Sequence, residues 1–169
     1  LLTGAAADIT IRATTGDVTL GTNVSNDTGY VEFETNDGDI NFTGNITTTS
    51  GDIVLTAQGA DGDIVQDGVL TTGSGAVTMN ATDTIEVKDG IVTASGIVIA
   101  NADSDTSGAG NLVMSSGTSI VTNSANITLT GEALTRFAVT AGAAVGADLD
   151  SDAYKEDDAP GTTVITTNR

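Results

Sequence analysis

The chain has no cysteine, no histidine and no tryptophan, one proline, and five basic residues against 23 acidic ones. Without cysteine there are no disulfides, and without cysteine or histidine thiolate and imidazole zinc sites are excluded. The commonest general base and the thiol nucleophile are missing too, so enzyme chemistry is poorly supported. A net charge of −18 has nothing with which to neutralise phosphate, which excludes nucleic acid as a partner and disfavours an anionic membrane surface. No apolar run approaches the roughly 18 residues of a spanning helix, so no membrane insertion is expected. Aromatics make up 3% of the residues, few for a globule around one central core but suited to a thin aliphatic column. The one proline, Pro160, lies in an acidic stretch rather than in a strand, where its missing N–H would cost a ladder hydrogen bond.

What the chain does have is a repeated short pattern. The stretch from Gly38 to Gln58, GDINFTGNITTTSGDIVLTAQ, holds three extended segments separated by Gly, Asn and Ser. In each an aliphatic residue follows a small or polar one, and period-2 alternation with β-branched enrichment reads as strand. Along the chain the pattern recurs as three strands per turn, here called A, B and C. The inward aliphatic of strand A is expected at Ile9, Val31, Ile53, Val77, Ile97 and Ile127. For strand B the series is Val18, Ile40, Ile64, Ile85, Leu112 and Val139, and for strand C it is Val24, Ile46, Val69, Ile91, Ile120 and Val145. Two positions on, strands A and B place a second inward residue that is mostly large and apolar. Strand C places a small or polar one: Asn26, Thr48, Thr71, Thr93, Thr122 and Ala147.

A regular ladder whose length changes fall at one or two corners is how a solenoid absorbs insertions. The expected fold is all-β: a parallel β-helix, right-handed because the corners are too uneven for strict hexapeptides. It has three short strands per coil of about 22 residues and about six coils, in one domain. Coils stack at roughly 4.8 Å. Leu2 falls where strand C of an earlier coil belongs, and Thr162 to Thr167 reads as strand A of a seventh. Both ends are strand-like without an amphipathic cap, as expected of a segment of a longer solenoid or of a subunit that stacks on copies of itself.

Three departures from the ladder are expected as inserts: 101–110, 130–136 and 146–161. In the last, Asp148, Asp150 and Asp152 alternate like the first ligands of a calcium loop. The loop's glycine is replaced by Ala153 and its twelfth-position glutamate by Ala159, so the choice stands between Ca²⁺ and a solvated acidic loop. Asp103 and Asp105 form a weaker version of the same pattern. Asp17, Asp39 and Asp63 share one strand-B position and are expected to form an exposed column of like charge. In water each adjacent pair costs only about 1 kcal/mol, so the column requires no metal. Six Asn-x-Ser/Thr sequons, at Asn23, Asn26, Asn41, Asn45, Asn80 and Asn126, are ascribed to composition and to the aptitude of Asn for corners rather than to glycosylation.

The segments Gly16–Leu20, Gly38–Phe42 and Gly51–Leu55, with N-I-T-T-T-S-G-D-I between the last two, resemble the repeats of filamentous-haemagglutinin-type exoproteins and autotransporter-like surface proteins. The resemblance covers most of residues 7 to 129 and implies a secreted or cell-surface location. It carries over no functional residue, since repeat positions in that family are structural. Two functions are therefore expected. The first is a structural unit of a filament or stalk, whose partner is itself, end to end. The alternative is an adhesin segment that meets a host or neighbouring-cell surface, or a glycan, through its acidic inserts.

Overall fold

The structure, a computed structural model, describes residues 2–4, 6–105, 110–135, 139–141 and 163–167. Among these there is no helix, and the twenty strands, numbered β1 to β20 in chain order, form three sheets. The strand-A sheet holds Ile9–Ala13 (β2), Val31–Thr35 (β5), Ile53–Ala57 (β8), Val77–Ala81 (β11), Val98–Asn101 (β14), Ile127–Gly131 (β17) and Thr163–Thr167 (β20). The strand-B sheet holds Val18–Leu20 (β3), Ile40–Phe42 (β6), Ile64–Gln66 (β9), Ile85–Val87 (β12), Asn111–Met114 (β15) and Ala133–Thr135 (β18). The strand-C sheet holds Leu2–Gly4 (β1), Val24–Asn26 (β4), Ile46–Thr48 (β7), Leu70–Thr72 (β10), Ile91–Thr93 (β13), Ile120–Thr122 (β16) and Val139–Ala141 (β19). Every third strand pairs in parallel, which is a β-solenoid; coil 1 is β2–β4 and coil 6 is β17–β19.

The core is a stack of aliphatic columns. Val31, Ile53, Val77, Val98 and Ile127 form one; Ile40, Ile64, Ile85 and Leu112 another; Ile46, Leu70, Ile91 and Ile120 a third; all are fully buried. Phe33, Phe42, Leu55 and Met79 fill the space between. Strand A also has a third inward position, held by Thr35, Ala57, Ala81 and Ala102, where a large side chain would crowd the corner.

Four register expectations are corrected. Leu70, not Val69, pairs with Ile46 and Ile91, and Thr72 rather than Thr71 is the buried polar residue after it. Val98, not Ile97, pairs with Val77 and Ile127, which leaves Ile97 outside. Strand B of coil 6 is β18, with Leu134 opposite Leu112, so residues 130–135 of the expected insert belong to the ladder; Arg136 lies outside the described residues. Val139 then belongs to strand C opposite Ile120, the place expected for Val145, which lies outside the described residues. In the corrected register the strand-C to strand-A step is constant. It spans seven residues from Val24 to Val31, Ile46 to Ile53, Leu70 to Val77, Ile91 to Val98 and Ile120 to Ile127. Length changes gather at the A-to-B corner, which spans nine residues from Val31 to Ile40 and fourteen from Val98 to Leu112. The expected seventh strand A exists as β20, but it pairs antiparallel with β17, Leu129 opposite Ile165. Leu2 pairs with Val24, as expected of an earlier strand C.

Candidate functional site

The charged residues singled out in strand B are hydrogen-bond acceptors, not a bare column of charge. Asp17 Oδ1 accepts the backbone N–H of Asp39 at 3.0 Å, Asp39 Oδ1 that of Asp63 at 3.0 Å, and Asp63 Oδ1 that of Thr84 at 2.8 Å. Each of these residues sits one position before an inward aliphatic, where the chain turns the corner. Its carbonyl serves the coil below: Val18 N–H donates to Asp39 O at 2.8 Å and Ile40 N–H to Asp63 O at 2.9 Å. A backbone N–H at such a corner has no strand partner, and the side-chain oxygen supplies one.

The other two corners repeat the device. Between strands B and C, Asn23 Oδ1 accepts from Asn45 N–H and Asn45 Oδ1 from Val69 N–H, both at 3.0 Å. Between C and A, Asp8 Oδ1 accepts from Tyr30 N–H at 3.1 Å and Asp52 Oδ1 from Ala76 N–H at 2.8 Å. Every hook points the same way, from one coil to the next in chain order. The signal was present in the sequence, since an Asp or Asn stands directly before the inward aliphatics Ile9, Val18, Val24, Ile40, Ile46, Ile53 and Ile64.

A second, buried ladder closes the C-to-A corner from inside. The hydroxyls of Thr48, Thr93 and Thr122 donate to the carbonyls of Gly51, Gly96 and Ala125 at 2.5 Å, and Thr72 donates to Gly75. In coil 1 Asn26 takes this position, its amide donating to Ala7 O at 2.9 Å and Tyr30 O at 3.2 Å. Gly29, Gly51, Gly75 and Gly96 stack at this corner. A Cβ on Gly51, Gly75 or Gly96 would lie 2.5 Å from the carbonyl carbon of the glycine one coil below. Glycine is required there by close approach of backbone to backbone.

The acids concentrate at the A-to-B corner: Asp17, Asp37, Asp39, Asp61, Asp63 and Asp83. At Asp63 partial burial pushes the pKa above the usual carboxylate value, and Asp83, Asp39 and Asp61 push the same way, while the bond from Thr84 N–H opposes. Elsewhere charges pair. Arg12 bridges Glu32 and Glu34 of coil 2, each at 2.9 Å, and Lys88 meets Glu86 at 3.1 Å. The bond to Glu32 is the main reason the Arg12 guanidinium holds its proton more firmly still.

Asp148, Asp150 and Asp152 lie outside the described residues, as does the whole of 146–161. Asp103 adopts a left-handed backbone (φ 67°), and its N–H donates to Asp83 O at 3.3 Å. Among the described residues no group of three carboxylates is placed to hold a metal ion. Of the six sequons, Asn26 is buried with its amide nitrogen committed to two carbonyls, which closes it to modification. Those at Asn23, Asn45 and Asn126 follow from the fold: a corner Asn, an inward aliphatic, then an outward hydroxyl at Ser25, Thr47 and Thr128.

Two surfaces remain. Ile9, Ile11 and Ala13, inward on β2, are only partly buried against the core, whereas Val31, Phe33 and Thr35, which pair with them one coil on, are fully buried. Among the described residues no strand pairs with the outer edge of β2 or β3, while β1 already pairs with β4. On the sides, Tyr30, Val92 and Ile97 are the exposed large apolar residues among the described positions. No described helix is long and apolar enough to cross a membrane. No family model, no curated protein and no solved structure matches the chain.

Proposed function

We propose that the chain is a structural unit of a secreted or cell-surface filament or stalk, extended by a further coil that stacks on the face of coil 1. One observation carries this reading: Ile9, Ile11 and Ala13 point inward yet are only partly buried, while their partners in coil 2 are fully buried. A strand added to β2 would bury them as β5 is buried by β2 and β8, and an unpaired strand edge accepts such a strand readily. The hooks make the joint directional. The N–H groups of Asp8, Asp17 and Asn23 stand where the equivalent groups of coil 2, on Tyr30, Asp39 and Asn45, each receive a side-chain oxygen from the coil before. An arriving coil that uses all three hooks stacks in the same orientation and bears Asp or Asn at its corners. In this chain's own coil 6 the matching positions are Asn126, Ala133 and Ala138, and the strand-A edge is β20, antiparallel to β17, so a joint between copies keeps at most one hook and pairs antiparallel at β2. Such a contact between identical chains does not close on itself, so it yields an open fibre. The strongly acidic A-to-B corner discourages lateral clumping by like-charge repulsion. The absence of cysteine, the acidity and the haemagglutinin-like repeats suit an exported rod. The rival reading, recognition of a cell-surface or glycan ligand through the acidic inserts, draws on segments that lie mostly outside the described residues.

Electron microscopy of the isolated protein tests this. Axial particles longer than one chain, lost on replacing Ile11 by Asp while the β-sheet circular dichroism is kept, are the expected result. Particles of a single chain length at every concentration reject stacking between copies.

A further inference from the structure

We propose that the outer face of β11, β14 and β17 is a lateral contact surface whose occupant is the same face of a second copy of this chain. The starting observation is the phase of β14. The sequence across its start, Ile97-Val98-Ile99-Ala100, offers two ways to face the core. The structure buries Val98 and Ala100 completely, leaves Ile97 41% exposed and leaves Ile99 half-buried on the outer side. The opposite phase would place the two isoleucines in the core instead of a valine and an alanine. The corner forbids it. Thr93 donates to Gly96 O, and the seven-residue step from Ile91 sets Val98 between Val77 and Ile127. The solenoid thus pushes its two larger side chains outward, an exposure that a covering surface would relieve.

The surroundings of these two residues select the cover. Three outward columns run along this sheet. In β11, β14 and β17, with the residue before each, they contain Ala76, Thr78 and Asn80; Ile97, Ile99 and Asn101; Asn126, Thr128 and Thr130. None of these nine is charged, in a chain that carries 23 acids. The same columns in coils 1 to 3 hold Asp8, Arg12, Glu32, Glu34 and Asp52. Val92, 38% exposed, adds apolar surface round the corner from Ile97. Two chains of net charge −18 repel at most approaches; this block, like the outer face of the strand-C sheet with Ser25, Thr47, Thr71, Val92 and Val121, lets them meet without opposed carboxylates, and the two outward isoleucines set it apart. A two-fold pairing sets Ile97 and Ile99 at the centre and the amides and hydroxyls of Asn80, Asn101, Thr128 and Thr130 at the rim, an apolar anchor within a polar ring. Nine outward positions, each about 4.8 Å by 6.8 Å, cover on the order of 300 Å² per copy. A stable dimer needs about 800 Å² per partner, so the contact is weak in solution and gains strength where rods are held side by side.

Sedimentation equilibrium over a concentration series tests it. The average mass should rise towards that of two chains, more steeply at about 1 M salt, where screening shortens to about 3 Å. The double variant Ile97→Asn, Ile99→Thr takes the residues that coil 6 has in the same columns, so it should fold as before. It should associate about tenfold less tightly or worse, and Thr128→Glu should weaken pairing without touching either isoleucine. Because the chain has no cysteine, Thr78→Cys should give disulfide-linked dimers on oxidation while Thr47→Cys, on the strand-C sheet, does not. Ile11→Asp, which blocks stacking on coil 1, should leave this pairing intact. A mass fixed at one chain in high salt, association indifferent to the Ile97 and Ile99 changes, or association lost only with Ile11→Asp would overturn the proposal.

Discussion

Replacing Gly75 by alanine tests the corner geometry directly. The added Cβ would sit 2.5 Å from the carbonyl carbon of Gly51 and 3.0 Å from the nitrogen of Asp52, overlapping the Gly51 oxygen. Carbon atoms in contact normally stand about 3.5–4.0 Å apart, so coils 3 and 4 must part locally by at least about 1 Å. The bonds beside the clash cannot stretch that far. Ile53 N–H to Ala76 O and Ala76 N–H to Asp52 Oδ1 are both 2.8 Å, and beyond about 3.5 Å they cease to be hydrogen bonds. Losing two such bonds costs about 1 kcal/mol each. Overpacking strain adds about 1–3 kcal/mol. The expected loss is thus about 3–5 kcal/mol, or roughly 6–20 °C in melting temperature for a chain of this size. Gly21 provides the control, because a Cβ there meets nothing within 4 Å. Gly21→Ala should hold stability or raise it by about 0.4–1 kcal/mol by restricting the unfolded chain. Urea titration followed by circular dichroism measures both, and if the two variants agree within about 1 kcal/mol the close-packed glycine column is refuted.

Further tests address the register, the hooks and the buried hydroxyls. Ile53→Asp puts an unpaired charge in the column and should cost at least about 4 kcal/mol, whereas Val54→Asp, outward between Glu32 and Thr78, should cost about 1 kcal/mol or less; equal melting of the two would sink the register. Asp63→Asn keeps the oxygen that accepts Thr84 N–H and removes a charge from beside Asp83, Asp39 and Asp61. Because the folded pKa of Asp63 is raised above 3.8, the native state binds the proton more tightly and loses stability as pH rises through that raised value. The Asn variant should therefore melt higher than the parent at neutral pH and lose that advantage once the pH falls below the ordinary carboxylate range, while Asp63→Ala, which abandons Thr84 N–H, should melt lower than the Asn variant at neutral pH. Thr93→Val leaves the buried Gly96 carbonyl without its donor and should cost about 1–3 kcal/mol; Thr71→Val, on the outer side of β10, should be neutral within about 0.5 kcal/mol.

The columns were legible because period 2 and β-branched side chains leave one choice at Val18, Ile40 or Ile85, whose neighbours are polar. Adjacent aliphatics are ambiguous: Ile53-Val54 and Ile91-Val92 were placed correctly, and legibility failed at two other pairs. At Val69-Leu70 and Ile97-Val98 either can face inward, and hydrophobicity alone favours the wrong one at Ile97. The deciding quantity is the strand-C to strand-A step. Both misplacements broke a spacing of seven that holds wherever the anchors are unambiguous, so the irregular steps were themselves the error signal. At β18 no such constant exists, because A-to-B lengths vary, and Leu134 could not be told from an insert. The direction of β20 was unreadable in principle, since Thr-Val-Ile-Thr-Thr alternates equally well in either direction. The corner hooks left only a positional signal, an Asp or Asn before the inward aliphatic: Asp17 and Asp39 are 22 residues apart, and their bond exists only once the coils are stacked.

The way the Asp column stops follows from the energies involved. A carboxylate that accepts a backbone N–H gains about 1.5–3 kcal/mol over leaving that donor bare. Each like charge a coil away subtracts about 1 kcal/mol in water. Asp17 has one such neighbour in its column, Asp39, and the hook wins. Asp39 has two and the balance narrows. Asp63 faces Asp39 in the coil below, Asp61 in its own corner and Asp83 in the coil above, and its half-buried position, where the charge is less well solvated, is the main reason its pKa is raised. The next position is Thr84, which receives the hook from Asp63 while Asp83 has moved one residue off the column. The B-to-C corner uses Asn23 and Asn45, whose amide oxygens accept the same bond without charge, so that corner never meets the limit.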